Sequence, residues 1–154
     1  MLTINRENIV ALATSPGKSA LAIVRLSGPN LYSTYKAFSN KKPLDRKAVL
    51  SKIYHPHSKK LLDEAIIIYF KSPNSFTGED VIEISCHGGS IVSRSIINAA
   101  IDIGVRNASP GEFSFRAFLN GKMDLLQAEA ISSLISSRSQ LSADVSLQHI
   151  LGRV

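Results

Sequence analysis

The chain has 154 residues, of which 44% are hydrophobic, 19% charged and 6% aromatic, enough to bury one sizeable core with an appended helix. No apolar run approaches the ~20 residues of a membrane span, and the N-terminus lacks the basic-then-apolar order of a secretory signal, so a cytoplasmic location and no membrane partner are expected. Cys86 is the sole cysteine, which excludes an intramolecular disulfide and a four-thiolate zinc site. The net charge of +6 is concentrated. Between residues 41 and 60, Lys41, Lys42, Arg46, Lys47, Lys52, Lys59 and Lys60 stand against Asp45 alone, and the rest of the chain is neutral. Such a strip suits RNA phosphate, a membrane surface or an acidic protein, but it also suits a plain solvated face, since no aromatic platform interleaves with the lysines.

Residues 9–13 (IVALA) and 20–27 (ALAIVRLS) read as two strands joined by the turn signal Ser15-Pro16-Gly17. Asn30 is placed to cap a short helix from Leu31 to Phe38, and a Lys-rich loop around Pro43 follows. A strand is expected near 48–54 and another at 65–70 (AIIIYF), whose unbroken apolar run predicts a central place with both faces covered. Pro73 stops it. Residues 81–86 (VIEISC) form a further strand ended by Gly88-Gly89.

Val92, Ile96, Ala99, Ala100 and Ile103 recur at helical spacing from Ser90 to Ile103, with Gly104 at the position of a left-handed cap. Ser109-Pro110-Gly111-Glu112 has capping-box spacing and opens a short helix to about Leu119, closed by Asn120-Gly121. Asp124 and Gln127 repeat the cap logic before a long stretch with Ile131, Leu134, Ile135, Leu141 and Val145 on one stripe. That stripe needs a partner surface, so the expected organisation is an α+β domain over 1–119 and, over 120–154, the first helix of a truncated helical domain.

Gly17-Lys18-Ser19 ends like a phosphate-binding loop, but Leu12 stands where that motif needs its first glycine, and a strand rather than a helix follows. His55, His57, Cys86 and His87 are metal-capable, yet Cys86 and His87 should point to opposite sheet faces and no acidic ligand is near either pair in sequence, so no metal site is expected. His87 before Gly88-Gly89 fits a turn-fixing or pocket-lining role. Within VIEIS, Glu83 lies on the face opposite Ile82 and Ile84, and Arg25 poses the same question within AIVRLS. A carboxylate in an apolar strand costs several kcal/mol if buried unpaired, so Glu83 must face solvent, a cation or a ligand with paired N–H donors.

Three blocks, IVALATSPGKSALAIVRLSGP, PNSFTGEDVIEISCHGG and SPGEFSFRAFLNGKMDLLQAEAISSLI, resemble in order the N-terminal region of the MnmE (TrmE) family of tRNA modification GTPases, over nearly the whole chain. The resemblance implies a mixed, largely antiparallel sheet with packed helices, a folate-binding and dimerisation module similar to that of the glycine-cleavage aminomethyltransferases. It further implies a full-length GTP hydrolase, a homodimer working with a flavin-dependent MnmG (GidA) partner. That assembly forms a C5 aminomethyl-type group on the wobble uridine of tRNA, with a 5-formyl- or methylene-tetrahydrofolate supplying the one-carbon unit. GTP, Mg and K belong to a GTPase domain whose motifs this segment lacks, so no catalytic residue and no GTPase activity are expected in it.

By motif, the family's folate-contacting arginine falls on Arg25, its glutamate on Glu83 and its lysine on Lys122. A carboxylate suits the adjacent 2-amino and ring N–H donors of a pterin, and the two cations suit carboxylate or formyl oxygens. His87, Phe76, Phe113 and Phe118 are further candidates, the phenylalanines for stacking or for plain core. Lys18-Ser19-Ala20 departs from the family's Arg-Gly-Gly, Ser85-Cys86 from Gln-Gly, and Phe115 from Glu; the thiol at Cys86 leaves the pocket dimensions open. An assembly module without folate function, or a basic tRNA-binding module, are the competing readings.

Overall fold

The computed structural model describes residues 7–14, 20–127 and 129–131. The chain forms two compact units divided between Asn107 and Ala108. The first unit holds strands β1 (Ile9–Leu12), β2 (Leu21–Gly28), β3 (Val49–Tyr54), β4 (Leu61–Phe70), β5 (Asp80–His87) and β6 (Arg106–Asn107), with helices α1 (Tyr32–Ser39) and α2 (Ser90–Asp102). The second holds α3 (Glu112–Leu119).

The six strands make one sheet in the order β3-β4-β5-β2-β1-β6, antiparallel except for the short β1–β6 pair. This is an open mixed sheet with helices, an α+β architecture. Alternation sorts the side chains into two faces. Val10, Val24, Leu26, Ile67, Ile82 and Ile84 point to the core face and are fully buried. There α1 contributes Tyr35 and Phe38, α2 contributes Ile96, Ala99 and Ala100, and Tyr35 meets Tyr69 edge to face at 5.8 Å.

The helix signal at Gly104 acts as its chemistry requires, whereas Asn30 does not cap α1. The N-cap is Leu31, without a side-chain cap bond, α1 begins one residue later than expected, and Asn30 Oδ1 accepts the Tyr32 N–H at 3.1 Å in the turn before it. Gly104, at φ 95°, turns the chain so that its own N–H reaches Ile101 O and the Val105 N–H reaches Ala100 O, the Schellman closure of α2. Two further expectations change. The strand expected at 65–70 extends back to Leu61 because Leu61–Ala65 pairs with β3 across a tight hairpin. It is also not fully covered: β5 and β2 are the central strands, and Ile66, Ile68 and Phe70 on the far face of β4 are only half-buried. The turn at 15–17 and the stripe beyond Ile131 lie outside the described residues.

Candidate functional site

On the face away from the helices, β2 and β5 pair so that Arg25 stands directly opposite Glu83, with Ala11 beyond Arg25 on β1 and Ile68 beyond Glu83 on β4. The register therefore converts two separate sequence anomalies into one ion pair. Arg25 Nε donates to Glu83 Oε2 at 3.0 Å and Arg25 NH2 approaches the same oxygen at 2.9 Å. Both side chains keep about a quarter of their surface, 25% for Arg25 and 22% for Glu83. Glu83 Oε1 takes no hydrogen bond from any described residue, so the pair leaves an acceptor oxygen on a face walled by Ile23 and Ile68.

The loop between β4 and β5 completes this surface. Thr77, Glu79 and Ser27 are buried together: Ser27 Oγ donates to Glu79 Oε1 at 2.8 Å, and its oxygen takes the Thr77 hydroxyl proton at 2.7 Å. The Glu79 N–H in turn donates to Thr77 Oγ1 at 3.2 Å. A buried acidic side chain with these hydroxyl partners pins the loop onto β2 two residues from Arg25. Phe76, adjacent to Thr77, is thereby held with its ring centroid 5.3 Å from the Arg25 guanidinium carbon. Its position against the cation, rather than in the core, is what the sequence left open.

His87 ends β5 on the same face as Glu83, four residues along, and is exposed. Its Nδ1 lies 2.8 Å from Asp63 Oδ1, and its backbone N–H donates to Asp63 Oδ2 at 2.9 Å. Asp63 went unnoticed in the sequence, where LLDEAIIIYF has no alternation to carry the strand back to it; its place follows from the pairing of Leu61–Ala65 with β3. Cys86, by contrast, is fully buried on the core face, where its thiol donates to Ala22 O. Burial, reinforced by the nearby Asp63 charge, pushes the thiol above its ordinary pKa. Its side chain is therefore absent from the Glu83 face. His55 and His57 lie together, but His55 Nε2 is engaged with Asp102 at 2.8 Å and Nδ1 accepts the His57 N–H at 3.0 Å.

The second unit carries Lys122, Phe113 and Phe118. Lys122 is exposed just beyond α3, and its N–H donates to Ala117 O. Glu112 fulfils the capping expectation from one side: Oε1 accepts the Ser109 N–H at 2.9 Å, and Oε2 pairs with buried Arg116 at 3.1 Å. Asp124 and Gln127 exchange N–H donors with each other's side chains, as their spacing predicts. Phe118 lines a cavity of about 490 Å³ with Pro110, Phe115 and Leu125, whereas Phe113 is half-buried.

The class these features define is an α+β domain whose mostly antiparallel sheet is covered by helices on one side and bears a paired carboxylate on the other. Residues 8–122 match the family described as GTP-binding protein TrmE N-terminus, and the chain belongs to that family. It is 50% identical over 149 residues to the tRNA modification GTPase MnmE of Campylobacter concisus, covering 95% of this chain and 33% of that protein. To the MnmE of Campylobacter curvus it is 49% identical over 155 residues (99% of this chain, 34% of that protein), and to that of Fervidobacterium nodosum 42% over 156 residues (98% and 34%). The chain thus spans about a third of the length of these curated relatives, whose names describe GTPases acting in tRNA modification, and its sequence contains no complete GxxxxGK[ST] loop.

Proposed function

We propose that the chain is the folate-binding and dimerisation part of a tRNA modification GTPase, and that the Arg25–Glu83 pair receives the pterin edge of a 5-formyl- or methylene-tetrahydrofolate. The observation that carries this reading is the one-sided ion pair. Arg25 holds Glu83 through Oε2, and among the described residues nothing donates to Oε1, which lies on a face walled by apolar side chains. A pterin offers two adjacent N–H donors, and a carboxylate already oriented by a guanidinium accepts them without paying to fix its rotamer. Phe76 stiffens Arg25 by stacking on its guanidinium. When bound, the folate supplies a one-carbon unit; the protein's part is to orient the heterocycle and exclude water from it. Lys122 enters the proposal through the family pattern alone, as a cation for ligand carboxylates.

The same face supports pairing of two copies, because Ile23, Ile66, Ile68 and Phe70 remain half-buried around the pair. In this reading the whole protein supplies GTP binding with Mg and K. It acts with a flavin-dependent MnmG-type partner on the wobble uridine of tRNA, in the cytoplasm.

Calorimetry with 5-formyltetrahydrofolate is the test. Glu83→Ala removes a charge-assisted acceptor pair and should weaken binding by about 2 kcal/mol, roughly thirtyfold. Undiminished affinity in that variant, or no binding heat from the folded wild-type chain, would remove the assignment. Sedimentation at several concentrations reads the dimer separately.

A further inference from the structure

We propose that the outer edge of the sheet, strand β3 with the turns that precede and follow it, docks the phosphate backbone of a double-stranded stretch of tRNA. The inference rests on the reading above that the whole protein acts on tRNA, and it adds the surface by which this domain touches it. Strand β3 pairs only with β4 and so lies at the sheet edge. Arg46 and Lys47 precede it, Lys41 lies alongside with its Nζ donating to Leu50 O, Lys52 sits mid-strand, and Lys59 and Lys60 close the hairpin at the far end. All six are exposed. Six residues of strand span about 20 Å, so the cations form a row rather than a cluster.

The frame holding these cations is ordered. Arg46 takes a left-handed backbone, φ 63°, and its N–H donates to Tyr69 O at 2.7 Å. In the hairpin, Lys59 also has a left-handed backbone, φ 64°, its N–H donating to His55 O while the His55 N–H donates to Lys60 O. His55 Nδ1 further accepts N–H groups of His57 and Ser58, and its Nε2 is tied to Asp102 on α2. A fixed row of cations loses less entropy on meeting a polyanion than lysines on a loose loop.

The acidic groups nearby are largely engaged elsewhere. Asp45 accepts the Lys71 N–H, Asp63 holds His87 and Asp102 holds His55; Glu64, directly across from Lys52, is the exception. Tyr54, the one Phe, Tyr or Trp between residues 41 and 60, is half-buried. His57 is the one exposed ring in this stretch, and a single imidazole makes no platform for successive bases, which favours duplex phosphate over single strands.

Fluorescence anisotropy of a labelled tRNA transcript with the 154-residue chain tests this. The wild type should bind with an affinity that falls steeply with salt. The triple variant Lys52→Glu/Lys59→Glu/Lys60→Glu should lose about tenfold or more at low salt, with the log–log salt slope reduced by roughly 2 to 3. A flat salt dependence, or a triple variant that binds tRNA like the wild type, overturns the proposal, as does tighter binding to phosphatidylserine vesicles than to tRNA. An aggregating triple variant with unchanged tRNA affinity would assign the lysines to protecting the sheet edge instead, again overturning it. If the glutamates prevent folding, the corresponding Lys→Gln triple reads the same comparison. Folate calorimetry on the same samples keeps the two claims apart: a strip that fails while folate binding persists leaves the folate reading standing, and the converse result leaves the strip standing.

Discussion

Asp80 accepts three hydrogen bonds from three different parts of the first unit: the Leu31 N–H at the start of α1, the Tyr69 hydroxyl on β4 and the Ser72 N–H in the following loop. It is buried, and the Leu31 and Tyr69 donors, buried themselves, would be stranded without it. Asp80→Ala should therefore cost about 3 kcal/mol, since unpaired buried donors carry their own desolvation penalty, whereas Asp80→Asn, which keeps one acceptor, should cost clearly less. Urea unfolding of both variants measures this; equal, near-zero shifts in ΔG would show that the three bonds do not support the fold. Asp80 was not identifiable from sequence, because its partners lie 49, 11 and 8 residues away. Glu83 and Arg25 were identifiable for the opposite reason. Each breaks an apolar strand pattern, and that conflict between residue type and period is visible locally. Their pairing was not, since it depends on the register of β2 against β5.

At the scale of elements, α3 ends in the same Schellman closure as α2. Gly121, at φ 73°, donates its N–H to Phe118 O and lets the Lys122 N–H reach Ala117 O. A Cβ at Gly121 would meet nothing within 4 Å, so the cost of Gly121→Ala is conformational alone, about 1 kcal/mol. Thermal unfolding followed by circular dichroism checks that value; a variant as stable as the wild type would mean the closure contributes nothing. Short-range chemistry of this kind made the helix ends legible: Gly104, Glu112 and the Asp124–Gln127 pair all act within four residues of where the chain changes direction. Strand order is set by pairings far apart in sequence, and this is why AIIIYF misled. An apolar run fits a strand covered on both faces, but it fits equally a strand whose second face is half-open, as β4 is.

At the scale of the whole molecule, three protons are held more tightly in the folded state than in the unfolded chain. Burial raises the Tyr35 and Cys86 pKa values, and burial together with the hydrogen bond to Asp80 raises that of Tyr69. Each group is neutral when protonated, so the folded state resists a charge that the unfolded state accepts freely. Their stabilising effect is complete below the unfolded values, near 9 for cysteine and 10 for tyrosine. Above them the unfolded chain releases protons first and stability falls as pH rises, by about 1.4 kcal/mol per pH unit for each group titrating only in the unfolded state. Urea midpoints should hence be level from neutrality to about pH 8 and decline progressively through about pH 11. The double variant Cys86→Ala/Tyr69→Phe separates this effect from lysine deprotonation. It should be less stable at neutral pH, having lost a buried hydroxyl's bond to Asp80, yet decline less steeply above pH 9. A double variant with the same alkaline slope as the wild type would place the pH sensitivity in other groups.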